Sequence, residues 1–214
     1  MITEVQQRYH EIRFRYNPAR AAVWKAICEY LQPWVKENDG LLELGAGYGE
    51  FCRQIHAAPK WALDQNSKLA EYWGDSVTPL IRSATDPLPL VSGSIGTVFA
   101  SNFFEHFTLE ESERILQEAR RVLHSDGRLI VVQPNFRLEP RRYYDDYTHR
   151  TAFTDNGFRD FLRALDWRIV HSEPRFLPFS MRSRMPKAEF LVRLYLSLPI
   201  RPLAGQFLVI AEKS

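Results

Sequence analysis

Three glycines fall at alternate positions in the stretch Leu41-Leu-Glu-Leu-Gly-Ala-Gly-Tyr-Gly-Glu-Phe51, directly after an apolar run. Glycine takes positive φ readily and lets main chain approach a ligand, so Gly45, Gly47 and Gly49 suit a loop built for close contact. A dinucleotide turn asks for G-x-G-x-x-G with a pyrophosphate on the following helix N-terminus. Here the sixth position is Glu50, whose charge disfavours that anion. Asp64 follows at the end of the next apolar run, where a carboxylate can accept hydrogen bonds from both hydroxyls of a ribose. A helix N-cap or turn residue reads the same way. Two further places could move protons: Glu105-His106, and "YYDDYTHR" from Tyr143 to Arg150. Histidine titrates near neutral pH. The second stretch adds Asp145, Asp146 and His149 between aromatic walls from Tyr143, Tyr144 and Tyr147. Each histidine also has a structural reading, His106 as a cap for the loop before the next helix, and His149 as partner of a carboxylate in a solvated loop.

The elements that must position these residues follow from periodicity. Asn17-Pro18 opens a helix whose core face is Ala19, Ala22, Val23, Ala26, Ile27, Tyr30, Leu31 and Trp34, ending near Val35. Short apolar runs predict strands at 40–45, 60–64, 78–82, 96–101 and 128–133, with helices at 50–57, 66–73 and 109–124 between some of them. Thr108 and Glu111 form a capping box for the last of these, and Ser125-Asp-Gly127 offers it a left-handed glycine cap. Beyond 150, Thr154 starts a helix carrying Phe158, Phe161, Leu162 and Leu165, and strands follow at 167–172 and 206–213. This alternation implies right-handed crossovers and an α/β fold, a doubly wound, mostly parallel sheet with helices on both faces. Such a sheet binds its ligand at the carboxyl ends of its strands. The glycine loop follows the first strand, Asp64 ends the second, Glu105-His106 follows the fourth and 143–150 the fifth. Glycine loop and carboxylate in that order point to an adenosine-type ligand.

With 214 residues, 45% hydrophobic and 25% charged, the chain has enough apolar material for one core, and one domain is expected. A formal charge of +2 is too balanced to argue for nucleic acid. Cys28 and Cys52 have no CxxC spacing, so neither a disulfide framework nor a zinc site is expected, and no metal ligand is assigned. The N-terminus lacks the apolar core of a signal peptide and no run approaches a spanning helix, so a soluble cytoplasmic protein is expected.

Taken in order, "LLELGAGYGEF", Asp64, "ATDPLPL" (84–90), "FASNFFEHF" (99–107) and "EARRVLHSDGRLIVVQPN" (118–135) resemble the successive motifs of class I S-adenosylmethionine-dependent methyltransferases, most of all the small-molecule branch called type 11 or type 12. The resemblance implies a Rossmann-like seven-stranded sheet whose last strand is antiparallel, and S-adenosylmethionine as cofactor. It puts Gly45, Ala46 and Gly47 against the cofactor's amino-acid part, with Glu43 at the mouth of the first strand. It gives Asp64 the ribose and Gln65 the adenine edge. Ala84 and Thr85 stand where many relatives carry an acid for the adenine amino group, so that contact would fall to backbone, Thr85 or Asp86. Asn102 and Phe103 would lie near the methionine portion and the reacting methyl. Methyl transfer is an in-line displacement that needs alignment and no protein nucleophile, and a hydroxyl acceptor is helped by a general base. His106, His149 and Asp146 are the candidates for base or substrate positioning. Glu105-His106 resembles an active-site pair of quinone-biosynthesis O-methyltransferases. No NPPY-like tetrapeptide follows the fourth strand, which turns the expectation toward an oxygen acceptor. The rival readings are a binding module that kept the cofactor and lost catalysis, and a nicotinamide-dependent oxidoreductase, which lacks support in a Tyr-x-x-x-Lys dyad.

The segment 173–205, "EPRFLPFSMRSRMPKAEFLVRLYLSLPIRPLAG", separates the last two strands. It carries Arg175, Arg182, Arg184, Lys187, Arg193 and Arg201 against few acids, and a helix from Lys187 to Leu198 with Phe190, Leu191, Leu194, Tyr195 and Leu198 on one side. It reads as packing against the sheet or a second subunit in a homodimer, as an interfacial element touching anionic lipid at the inner face of a membrane, or as a site for an acidic acceptor. Its character loosely resembles that of bacterial methyltransferases of cell-surface polysaccharide assembly, which implies a glycan or small-molecule hydroxyl acceptor. The chain thus divides into a helical cap (1–37), a cofactor core (38–136), a substrate loop with helix and strand (137–172), a lid (173–205) and the last strand (206–214).

Overall fold

The computed structural model describes residues 8, 9, 12–178 and 188–214. Seven strands form one sheet: β1 (Leu41–Leu44), β2 (Lys60–Asp64), β3 (Val77–Ile81), β4 (Ile95–Ser101), β5 (Leu123–Pro134), β6 (Trp167–Glu173) and β7 (Gln206–Lys213), in the order β3-β2-β1-β4-β5-β7-β6. All neighbours from β3 to β5 run parallel, whereas β7 is antiparallel to both β5 and β6. β1 is buried at every position and β4 at all but its last. That is why these strands read as continuous apolar runs: a central strand covered on both faces has no solvent side to mark with alternation. Pro79 lies in β3, at the edge of the sheet, where a missing N–H is tolerated.

Helices cover both faces. On one face α1 (Ala19–Leu31) buries Val23, Trp24, Ile27, Cys28 and Leu31 in a core shared with Phe51 of α2 (Glu50–Gln54), Phe99 and Ile130. Trp24 and Cys28 extend the face that the periodicity predicts, while the Asn17 side chain accepts from the Ala19 N–H as expected of a cap. On the other face α3 (Leu109–Val122) and α5 (Asp155–Ala164) pack Ile115, Leu116, Ala119, Phe158 and Leu162 against Leu42, Val98, Phe207 and Val209. A one-turn helix, α4 (Pro140–Tyr143), opens the loop after β5. The predicted helix at 66–73 is a short 3-10 segment, Ser67–Tyr72, capped by the Asn66 side chain.

The expected left-handed cap at Gly127 is not formed. α3 ends at Val122 and β5 begins at Leu123, so Gly127 lies within the strand. A Cβ there would come within 2.9 Å of Leu123 and 3.1 Å of the Ile95 carbonyl oxygen, so the glycine serves the close approach of β5 to β4 rather than a helix end.

In the segment between β6 and β7, α6 (Glu189–Ser197) packs Val192, Tyr195 and Leu196 against the α1 side of the core. The apolar side named from sequence divides: Phe190, Leu194 and Leu198 face solvent, as do Ile200 and Leu203. Arg201 is buried, pairs with Glu173, and donates to the Tyr30 hydroxyl and the Leu196 carbonyl. Arg193 pairs with Glu29 and Glu189. Two of the expected surface cations are therefore neutralised, and Arg182, Arg184 and Lys187 lie outside the described residues. No helix among the described residues is long and apolar enough to cross a membrane.

Candidate active site

The carboxyl end of β1 feeds a loop in which Gly45 and Gly47 take φ of +63° and +55°, backbone that an L side chain rarely adopts. A Cβ on Gly45 would lie 2.5 Å from the Phe103 ring, and one on Gly47 2.8 Å from Phe14, so an aromatic ring rests against bare backbone at each. Phe14 stacks on Tyr48 at 5.2 Å, and Tyr16 and Tyr72 complete an aromatic roof. Ala46 is buried. Asp64 ends β2 with one carboxylate oxygen accepting from Gly47 N–H at 3.0 Å and the other from Asn66 N–H at 2.9 Å. Each oxygen keeps a lone pair, which suits a vicinal diol. That spare capacity, beside bare left-handed backbone, fits the ribose and amino-acid ends of S-adenosylmethionine. Gln65 is exposed next to Asp64.

Glu43 points away from solvent and accepts from the Cys52 N–H at 2.9 Å, tying β1 to α2. Burial pushes its carboxyl up to about 8. Glu50 is buried too and paired with Arg20 at 2.6 Å. Its charge is therefore already matched by Arg20, and what disfavours a pyrophosphate here is the missing sixth glycine. Ala84 packs in the core beside Leu44 and Leu63. The Thr85 hydroxyl lies 2.8 Å from that of Ser83.

The turn after β4 joins this loop to a second group of residues. Asn102 takes φ of 48° and accepts from the Gln206 side chain. Phe103 reaches back over Gly45, and the 3-10 segment Phe104–His106 then carries Glu105 and His106. Glu105 is 1% exposed, accepts from Gln133 Nε2 at 2.7 Å, and is pushed up to about 8 by burial. The loop after β5 folds onto it: Arg150 N–H donates to the Glu105 carbonyl at 2.7 Å, and His149 Nε2 lies 3.9 Å from Glu105 Oε1. His106 Nε2 lies at the same 3.9 Å from the same oxygen.

Asp146 organises this group. It is buried, and its Oδ1 accepts from the Thr148 hydroxyl at 2.6 Å and the Thr148 N–H at 3.1 Å. Its Oδ2 accepts from Tyr9 at 2.8 Å and lies 3.3 Å from Arg13 Nε. Burial alone would raise its pKa; the bonds from Thr148 and Tyr9 outweigh that and hold it below the usual carboxylate range. The Thr148 hydroxyl has one proton, given to Asp146, so towards His106 Nδ1 at 2.9 Å it acts as acceptor. His106 Nδ1 therefore carries the ring proton and Nε2 keeps its lone pair. Burial, then the neighbouring His149, lower His106 to about 4, and burial also lowers His149. Both rings are neutral at pH 7.

The fold thus brings His106, His149 and Asp146 together and joins them, through Asn102 and Phe103, to the loop of Gly45 and Gly47. Asp145 stays exposed, as do Tyr144 and Tyr147. Sequence reasoning missed Tyr9, Phe14, Thr148 and Gln133. Gln133 and Thr148 lay in quoted stretches without being singled out, and nothing in the sequence marked Tyr9 or Phe14 as neighbours of residues so distant along the chain. Two surface clefts of about 170 and 290 Å³ lie at the opposite end of the sheet, by Trp167 and by Lys60.

Residues 42–131 match the profile of the family described as "Methyltransferase domain". Over nearly the whole chain the fold is similar to a SAM dependent methyltransferase from Archaeoglobus fulgidus, with TM-score 0.70, 19% identity, and coverage of 99% of this chain and 100% of that one. It is also similar to an S-adenosylmethionine dependent methyltransferase from Mesorhizobium loti (TM-score 0.65, 17% identity, 88% and 98% covered). A third similar structure is a geranyl diphosphate methyltransferase in complex with SAM (TM-score 0.63, 15% identity, 89% and 85% covered). No curated protein matches the chain in sequence. Sheet order and glycine loop are those of the Rossmann-like methyltransferase fold, and residues 42–131 carry the methyltransferase-domain profile. Its cofactor is S-adenosylmethionine.

Proposed function

We propose that this methyltransferase acts on an oxygen acceptor, the hydroxyl of a small molecule or of a sugar. The observation that carries the reading is the His106 tautomer: Thr148 and Asp146 fix the proton on Nδ1 and leave Nε2 unprotonated at the carboxyl ends of β4 and β5. S-adenosylmethionine supplies a methyl group already activated on a sulfonium. The chain's own work is then to hold the cofactor's diol at Asp64 and its amino-acid end at Gly45 and Gly47, and to align the acceptor. His106 Nε2 accepts the acceptor's proton, Asp146 holds the tautomer through Thr148, and His149 walls the site. The test is methyl transfer to a panel of sugar, phenolic and amine acceptors, with S-adenosylhomocysteine binding followed by calorimetry. Turnover confined to amines, or hydroxyl methylation unchanged in His106→Ala, overturns the reading.

We further infer that the exposed apolar residues Phe190, Leu194, Leu198, Ile200 and Leu203 lie against lipid, and that the acceptor is a lipid-linked glycan handled at the inner face of a membrane. Arg193 and Arg201 are paired within the protein, so among the described residues this contact is apolar. Sedimentation with neutral vesicles, little affected by salt and lost in Phe190→Ser with Leu194→Ser, is the expected result. Failure to sediment, or a dimer that dissociates in the same variant, assigns the row to a second copy of the chain.

A further inference from the structure

We propose that Glu105, His106 and His149 bind one divalent first-row transition metal ion. Their ligand atoms lie within 4.8 Å of one another, and His106 Nε2 and His149 Nε2 flank the same oxygen, Glu105 Oε1, each at 3.9 Å. Those separations are too long for hydrogen bonds, which close to about 2.7–3.2 Å. They are near the spacing of donors around a common ion: ligand bonds of about 2.0–2.1 Å at a tetrahedral angle put donor atoms about 3.3 Å apart. Closing by about half an ångström at the two Glu105 edges, and by up to about 1.5 Å between the two imidazole nitrogens, would complete the set.

Three further features point to an ion. The Thr148–Asp146 pair leaves His106 Nε2 with its lone pair free, 3.9 Å from Glu105 Oε1, and no hydrogen bond closes that gap. A carboxylate holding a ring nitrogen through its N–H, directly or through a hydroxyl, is the outer support that metal-ligating histidines use. Gln133 Oε1, on the residue that donates to Glu105, is buried without a hydrogen-bond partner among the described residues; the orphaned nitrogen of His149, whose side chain is 7% exposed, is Nδ1 and not the ligand atom. Yet His149 is held in place by Tyr143, edge to face at 4.7 Å, and by its own N–H to the Asp146 carbonyl. Two imidazoles and one carboxylate favour zinc, manganese or iron over magnesium or calcium, which prefer all-oxygen sets.

This inference deepens the oxygen-acceptor reading and rests on it only for its purpose. With an ion bound, His106 Nε2 would serve as a ligand in place of accepting the proton: a hydroxyl held as a further ligand would be acidified by the ion and give its proton to solvent water, leaving the oxygen to take the methyl group.

The experiment is calorimetric titration of Zn²⁺ into metal-stripped full-length protein, with the visible absorption of a Co²⁺-loaded sample as a second signal. One ion per chain is expected, with affinity reduced at least about tenfold in His149→Ala and Glu105→Gln. Thr148→Val, which removes only the support of His106, should weaken binding by about tenfold. Should Glu105→Gln fail to fold, His106→Ala, at a part-exposed side chain, carries the test. The surface competitor is His124, beside Asp39 and Asp126. Uptake lost in His124→Ala and retained in His149→Ala, or no uptake at one ion per chain, overturns the proposal. S-adenosylhomocysteine binding is measured on the same samples, so loss of the metal site and loss of the cofactor reading are separate outcomes.

Discussion

The glycine loop and the histidine cluster are built in opposite ways. The loop is local: β1, Gly45 to Gly49, α2, β2 and Asp64 occupy one crossover unit, and Asp64 is bonded to Gly47 within it. The cluster is assembled from a distance, with Tyr9 and Arg13 from before α1, Glu105 and His106 from the turn after β4, Gln133 from β5, and Asp146, Thr148 and His149 from the loop beyond it. A local site is fixed once its unit folds, whereas a distributed one depends on the packing of the whole carboxyl edge. Binding should therefore fail with the loop and turnover with the cluster.

The largest expected effect is at the loop. Gly45→Val puts a branched side chain on left-handed backbone and against Phe103, and should abolish S-adenosylhomocysteine binding by calorimetry, taking turnover with it. Undiminished binding would show that the ligand does not approach this backbone. Next in size, His106→Ala should lower kcat by about a hundredfold or more, the usual contribution of a positioned acid or base, with cofactor affinity unchanged. If affinity falls in parallel, the two regions are one site and the contrast fails.

Glu43 sharpens the comparison through pH. Its folded carboxyl is raised from the ordinary 4.5 to about 8, so the native state holds a proton that the unfolded chain gives up. The stability tied to that proton is fully present below pH 4.5 and is lost as pH rises toward 8, on the order of a few kcal/mol. Urea midpoints of wild type and Glu43→Gln, compared between pH 5 and 9, should diverge in that direction; a constant difference would mean Glu43 is already ionised in the fold. The smallest effect is expected at Tyr9→Phe. Losing one hydrogen bond to Asp146 removes about 1 kcal/mol, and a several-fold fall in kcat without a change in cofactor affinity should follow. A change in affinity alone would move Tyr9 from the cluster to the loop.

Much of this was legible beforehand for a physical reason. β2 and β7 match their expected bounds, because each is a short apolar run closed by charged residues that mark its end in the sequence itself. The Thr108–Glu111 capping box was legible because both partners lie within one turn. Gly127 misled because a glycine after a helix reads as a cap, whereas the close pass of β4 that requires it is visible only in the sheet. α6 misled because periodicity defines an apolar side without saying which part of it another element will cover. Glu105, His106 and His149 were named from the sequence but not as one set, because His149 lies 43 residues beyond His106 and the three meet only when the loops after β4 and β5 pack together.

The sequence by itself determined the order of strands and helices, the glycine loop and the carboxylate facing it, and hence the adenosine-type ligand, since each depends on contacts within one unit of the chain. Only the tertiary structure decided which histidine nitrogen is protonated, that Asp146 is the hub of the cluster, and that Glu105 lies between two imidazoles. Those properties arise from burial and from hydrogen bonds between segments that meet only when the sheet is complete, and no local pattern encodes them.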